Sequence, residues 1–104
     1  MYRYDFKILT FPEVIPESVK QINMRAFAEC SSLTDVVIPD SVESVGMYAF
    51  AECSSLASAV LPGSLNILNR YAFQDCKSLE TVIIGEGVKK LAYGVFDGCE
   101  KLKT

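Results

Sequence analysis

Four thiols recur at a single interval: Cys30, Cys53, Cys76 and Cys99 stand 23 residues apart. Thiols ligate metals, form disulfides and act as nucleophiles, so this row is the first place to look for chemistry. A zinc site needs ligands that converge on a tetrahedron. Thiols spaced evenly along a repeat form a straight column instead, and the chain has no histidine to help. Disulfides between neighbouring repeats are geometrically conceivable. A buried thiol also behaves as a small hydrophobe, and four free structural thiols, without metal or cofactor, is the reading adopted; it suits a reducing compartment.

Nucleophilic catalysis finds little to use. Without histidine there is no Ser-His or Cys-His pair. The serines Ser18, Ser41 and Ser64 recur as repeat-turn residues, as do Ser32, Ser55 and Ser78. The acids Glu17, Asp40 and Glu86 form one row, and Glu29, Glu52 and Asp75 another; carboxylates in such rows serve solubility. Gly85-Glu86-Gly87 has no basic residue directly after it and does not read as a phosphate-cradling loop. The expectation is a protein with no catalytic residues, not an enzyme.

The element that positions all these residues is the repeat itself. Ile15-Pro16-Glu17-Ser18-Val19-Lys20-Gln21-Ile22, leading to Ala26-Phe27-Ala28-Glu29-Cys30-Ser31-Ser32-Leu33, returns 23 residues later. The second copy runs from Ile38-Pro39-Asp40-Ser41-Val42 to Ala49-Phe50-Ala51-Glu52-Cys53-Ser54-Ser55-Leu56. Further copies start at Leu61-Pro62-Gly63-Ser64-Leu65 and Ile84-Gly85-Glu86-Gly87-Val88. A period of this length marks a solenoid, in which each unit buries its apolar face only against its neighbours. The apolar rows are then continuous columns: Ile15/Ile38/Leu61/Ile84, Val19/Val42/Leu65/Val88, Ile22/Val45/Leu68/Leu91, Phe27/Phe50/Phe73/Phe96 and Leu33/Leu56/Leu79/Leu102. Thr34 to Ile38, Ser58 to Leu61 and Glu80 to Ile84 are β-branched and alternating, so each unit contributes one strand, parallel to the next. Pro16, Pro39 and Pro62 lack an amide donor and end the strand where the chain turns. The organisation is one domain: an N-terminal capping strand over 1–14, then four repeats, 15–37, 38–60, 61–83 and 84–104.

The pattern Ile-Pro-x-Ser-Val-x-x-Ile through Ala-Phe-x-x-Cys-x-Ser-Leu resembles the leucine-rich repeats of BspA-like proteins. The resemblance covers residues 15–104. It implies a right-handed solenoid of α/β-type repeat class, with a short parallel sheet on the concave face and irregular or short helical turns on the convex face. It also implies adhesion or binding to host proteins at a cell surface, and carries no catalytic residues. Members are typically longer and exported, whereas Met1-Tyr2-Arg3-Tyr4-Asp5-Phe6-Lys7 puts charges where an export signal has its apolar core. A second expectation is therefore a small intracellular inhibitor, phage-borne and directed against a host defence complex, that occupies a partner protein's surface. Localisation is the cell surface by resemblance, and cytoplasmic if Met1 is the native start.

Charge and hydropathy bound the partners. Of 104 residues half are hydrophobic, and the formal net charge is -3 with ten scattered basic residues, which leaves no concentrated basic footprint for nucleic acid. No run of 18 apolar residues predicts membrane insertion. Nothing resembling a cap follows Leu102, so an end-to-end homodimer or a longer parent protein is expected.

Two binding surfaces follow from the rows. If Val36 and Ile38 point inward, Val37 points to the concave face, and with Val14, Val60 and Ile83 it forms an aliphatic stripe flanked by Asp35, Ser58 and Thr81. The second candidate is Met24, Met47, Arg70 and Tyr93 beside Arg25, Tyr48, Tyr71 and Gly94, residue types enriched at interfaces. The same aromatics also suit a structural role, covering the turn. Ile67 falls where its neighbours are Gln21, Ser44 and Lys90, an apolar residue on a polar row.

Overall fold

The structure is a computed structural model that describes residues 15–103. The expected capping strand over 1–14, and Val14 with it, lie outside the described residues.

Each repeat forms one rung, and the rungs stack in register. The strands expected from β-branched alternation are present as β2 (Asp35–Val37), β4 (Ser58–Leu61) and β6 (Thr81–Ile84). They pair in parallel, Val37 with Val60 and Val60 with Ile83, so register follows the 23-residue period. One expectation is corrected: each of the first three rungs contributes two strands, not one. The second set is β1 (Gln21–Ile22), β3 (Ser44–Val45) and β5 (Ile67–Leu68), also parallel, and Leu91 continues it through a bridge to Leu68. Strands of two residues are too short to show alternation. Here the ladder comes from rung stacking, and local propensity has little part in it. Ile67 sits in β5 opposite Ser44, where a β-branched side chain suits an extended backbone.

Turns separate the two sheets. The Pro16, Pro39 and Pro62 carbonyls accept from the amides of Val19, Val42 and Leu65, so each proline opens a turn closed three residues later. The hydroxyls of Ser41 and Ser64 donate to the Val19 and Val42 carbonyls of the preceding rung, at 2.8 and 2.9 Å. These recurring serines are thus ties between rungs.

The core is the set of columns. In the middle rungs Val42, Val45, Phe50, Leu56, Leu65, Leu68, Phe73 and Leu79 are fully buried, and no buried residue is polar among those described. The phenylalanine rings stack at 4.9 Å (Phe27 on Phe50), 5.0 Å (Phe50 on Phe73) and 5.7 Å (Phe73 on Phe96). Offset parallel rings at such spacing add to the area that they bury.

The turn that carries each phenylalanine is built in an unusual way. Arg25, Tyr48 and Tyr71 have φ near +60°, and so do Glu29, Glu52 and Asp75; Gly94 and Gly98 hold the two equivalent places in the last rung. A side chain in this left-handed region costs roughly 1–2 kcal/mol, so something must hold it. What holds it is a ladder in one direction. The amides of residues 25, 27 and 29 donate to the carbonyls of residues 47, 49 and 51 in the next rung, and the same three bonds recur at the next two interfaces, at 2.7 to 3.3 Å.

The two ends differ. Ile22, Phe27 and Leu33 of the first described rung are 2–4% exposed, while Ile84 and Leu91 of the last are 41% and 50% exposed.

Candidate protein-binding surface

Strand alternation decides which side chains the β2–β4–β6 sheet presents. Val36, Ala59 and Val82 point into the core and are buried. Their neighbours Val37, Val60 and Ile83 must then point out, and Val37 and Ile83 are 60% and 57% exposed, with Val60 between them half-buried. Three of the four residues of the expected stripe are described, and they lie in register on the outward side of this sheet.

A polar row runs beside it. Asp35, Ser58 and Thr81 are register partners two residues earlier on the same face. The Ser58 hydroxyl donates to Asp35 Oδ1, and the Thr34 hydroxyl donates to Asp35 Oδ2 at 3.4 Å. The Asp35 carboxylate is thus held by two hydroxyls and remains half-exposed, with a fixed orientation. An aliphatic row with an oriented carboxylate along its edge is a surface for an apolar side chain accompanied by a hydrogen-bond donor or a cation.

The second candidate separates into two parts. Arg25, Tyr48, Tyr71 and Tyr93 pack on one another: the Arg25 guanidinium lies 4.5 Å over the Tyr48 ring, Tyr48 stacks on Tyr71 at 5.2 Å, and Tyr93 meets Tyr71 edge-on at 5.8 Å. Tyr48 and Tyr71 are half-buried in this stack, which covers the left-handed turn. Met24, Met47 and Arg70 stand outward, as Tyr93 does at 76% exposure. The structure does not bring this row into contact with the valine stripe through any shared strand.

The acidic row Glu29, Glu52 and Asp75 lines an open groove with Ser31, Ser54 and Lys77, and Lys77 reaches Asp75 at 4.0 Å and Glu100 at 3.4 Å. Among the described residues no group of three or more His, Cys, Asp or Glu side chains is placed to hold a metal ion.

All four cysteines are free thiols. Cys53, Cys76 and Cys99 donate to the carbonyls of Phe27, Phe50 and Phe73 at 3.1 to 3.2 Å, so each thiol is a further tie to the preceding rung. The thiol hydrogen bonds along the column, first from Cys30 and then from Cys76, push Cys53 upward from the ordinary value, and burial adds to this. Cys99 is pushed upward by Cys76 and then by burial. Hydrogen bonds from Cys53 and Cys99 pull Cys76 down, with burial opposing. Its own thiol donates to a carbonyl, however, and a thiolate there would face that oxygen, so we read the column as protonated.

Comparison with known proteins places the chain. The BspA type leucine rich repeat region matches residues 3–104 in six copies, and so takes in most of the segment that precedes the four repeats read from the sequence. A leucine-rich repeat protein from Bacteroides ovatus is 35% identical with a TM-score of 0.75, over 80% of this chain and 22% of that one. A leucine-rich repeat protein of T. pallidum is 35% identical with a TM-score of 0.78, over 86% of this chain and 42% of that one. The chain thus spans less than half the length of either. No curated protein matches it. Register, parallel sheets and family pattern agree that the chain belongs to the BspA-type leucine-rich repeat family, whose repeats are protein-interaction modules.

Proposed function

We propose that the chain binds a protein partner without catalysis, through the outward face of the β2–β4–β6 sheet. The observation that carries this is the row Val37, Val60 and Ile83, three aliphatic side chains aligned by strand pairing, the outer two open to solvent and Val60 half-buried between them. Aligned apolar side chains at the surface lose water favourably when covered, by about 25 cal/mol per Å². The Asp35 carboxylate beside the row, and a net charge of -3, select a partner segment with aliphatic anchors and basic flanks.

Adhesion to a host protein is the specific form that the family resemblance supports. The test is affinity capture with the full chain from extracellular matrix and, separately, from cell lysate, each repeated with Val37→Lys/Val60→Lys. Matrix proteins captured by the parent chain and lost by the variant support adhesion. A single intracellular complex lost in the same way would replace adhesion with the inhibitor reading. Equal capture by both chains would remove this face from consideration.

A further inference from the structure

The aliphatic row crosses the strands and does not follow them. Along any one strand the outward positions are one polar and one aliphatic residue, Asp35 then Val37, Ser58 then Val60, Thr81 then Ile83, so apolar surface continues only from rung to rung. A segment that covers all three aliphatic side chains must therefore lie along the stacking axis. Paired strands stand about 4.8 Å apart, so the row offers one side chain per step and spans about 10 Å.

Backbone period decides what fits such a row. An α-helix returns a side chain to one face every three or four residues, about 4.5 or 6 Å, and its positions i, i+3 and i+7 span about 10.5 Å. An extended strand returns one every 6.6 Å or so and overshoots the row by about 3.5 Å in two steps. A polyproline II segment returns one about every 9.3 Å and misses Val60. Charge narrows the choice further. The stretches that form this sheet and its edges, 33–40, 56–63 and 79–86, hold the acids Asp35, Asp40, Glu80 and Glu86 and no lysine or arginine. Asp40, Glu80 and Glu86 are exposed, and Asp35 is held in orientation by the hydroxyls of Ser58 and Thr34.

We propose that the segment covering this face is a basic amphipathic α-helix lying along the stack, with aliphatic side chains at i, i+3 and i+7 on Val37, Val60 and Ile83 and a lysine or arginine turned toward Asp35. The inference rests on the binding face proposed above, and adds the conformation, direction and charge of the partner segment.

The experiment titrates the full chain, labelled at valine and isoleucine methyls, with synthetic peptides of equal length and charge and follows the chain by NMR. One is an alanine–lysine helix with leucines at i, i+3 and i+7, the second the same peptide with a central proline, which breaks the helix. The third is a strand-prone threonine–lysine peptide with leucines at i, i+2 and i+4. The helical peptide should shift the methyls of Val37, Val60 and Ile83 saturably, and the other two should bind about tenfold more weakly or worse. Asp35→Asn should weaken the helical peptide by about threefold at low salt and less at high salt. In Val37→Lys/Val60→Lys the shift at Ile83 should vanish. Equal or tighter binding of the strand-prone or proline peptide at these methyls would overturn the helix and leave the face standing. No shift at these methyls from the helical peptide up to its solubility would also overturn the inference, while the capture experiment decides the face independently.

Discussion

The rings of Phe50 and Phe73 lie 5.0 Å apart and 4° from parallel, each on its own rung, so neither has its stacking partner within its own repeat. Phe50 also stacks on Phe27 at 4.9 Å, which makes it a ring sandwiched on both sides. Phe50→Ala should therefore cost about 3–5 kcal/mol, read as a fall in the urea midpoint or as outright unfolding. A loss below about 1 kcal/mol, the range of volume-conserving core swaps, would contradict the column.

The surface row should respond in the opposite way. Val37 and Val60 point to solvent from strands whose inward residues are untouched, so Val37→Lys/Val60→Lys should move the melting temperature little, apart from a small cost for two like charges in register. Partner capture should be lost. Loss of folding in the double variant would show that the row is part of the core.

The left-handed turn positions give a backbone test. Glu52 has φ of 60° with an exposed side chain, so Glu52→Gly relieves a steric penalty that Glu52→Ala retains. The glycine variant should exceed the alanine variant in stability by about 1 kcal/mol in parallel denaturant titrations. Gly98→Ala should destabilise, because the chain there is left-handed and a new Cβ would strike the Asp75 side chain.

The thiol column predicts a pH dependence. Cys53 and Cys99 keep their protons in the folded chain above 9.0, the ordinary value at which they ionise when unfolded. The unfolded state then loses protons that the folded state retains, so stability should fall as pH rises beyond 9, and Cys53→Ala should flatten part of that fall. In alkylation of the native chain Cys99, the least buried thiol, should react first, and the others only on unfolding.

Much of this was legible because the repeat reports on packing directly. Val42, Val45, Phe50 and Leu56 return every 23 residues because each must meet its own kind one rung away, and strand alternation at Val36, Val37 and Ile38 tells inside from outside. The second sheet was not legible: Ser44–Val45 is two residues long and exists because a rung above and a rung below hold it extended. The roles of Ser41 and Ser64 were half-visible. Their recurrence marked a turn, but the carbonyl that each hydroxyl meets lies 22 residues back, and only the stacking brings it there. Tyr48 and Tyr71 combined two signals in one row, since an aromatic that covers a strained turn and one that greets a partner have the same residue type.

The one-directional turn ladder has an electrical consequence. Each peptide unit carries a dipole of about 3.5 D, and units aligned head to tail along an axis add, as they do in an α-helix. The turn peptides of successive rungs align in this way although no helix is present among the described residues, so along the stack the turn amides face the later rungs and the turn carbonyls the earlier ones, and their dipoles add in that direction. The formal charges grade in the same sense: residues 15–37 hold three acids (Glu17, Glu29, Asp35) against two bases (Lys20, Arg25), and residues 84–104 hold four lysines against three acids (Glu86, Asp97, Glu100).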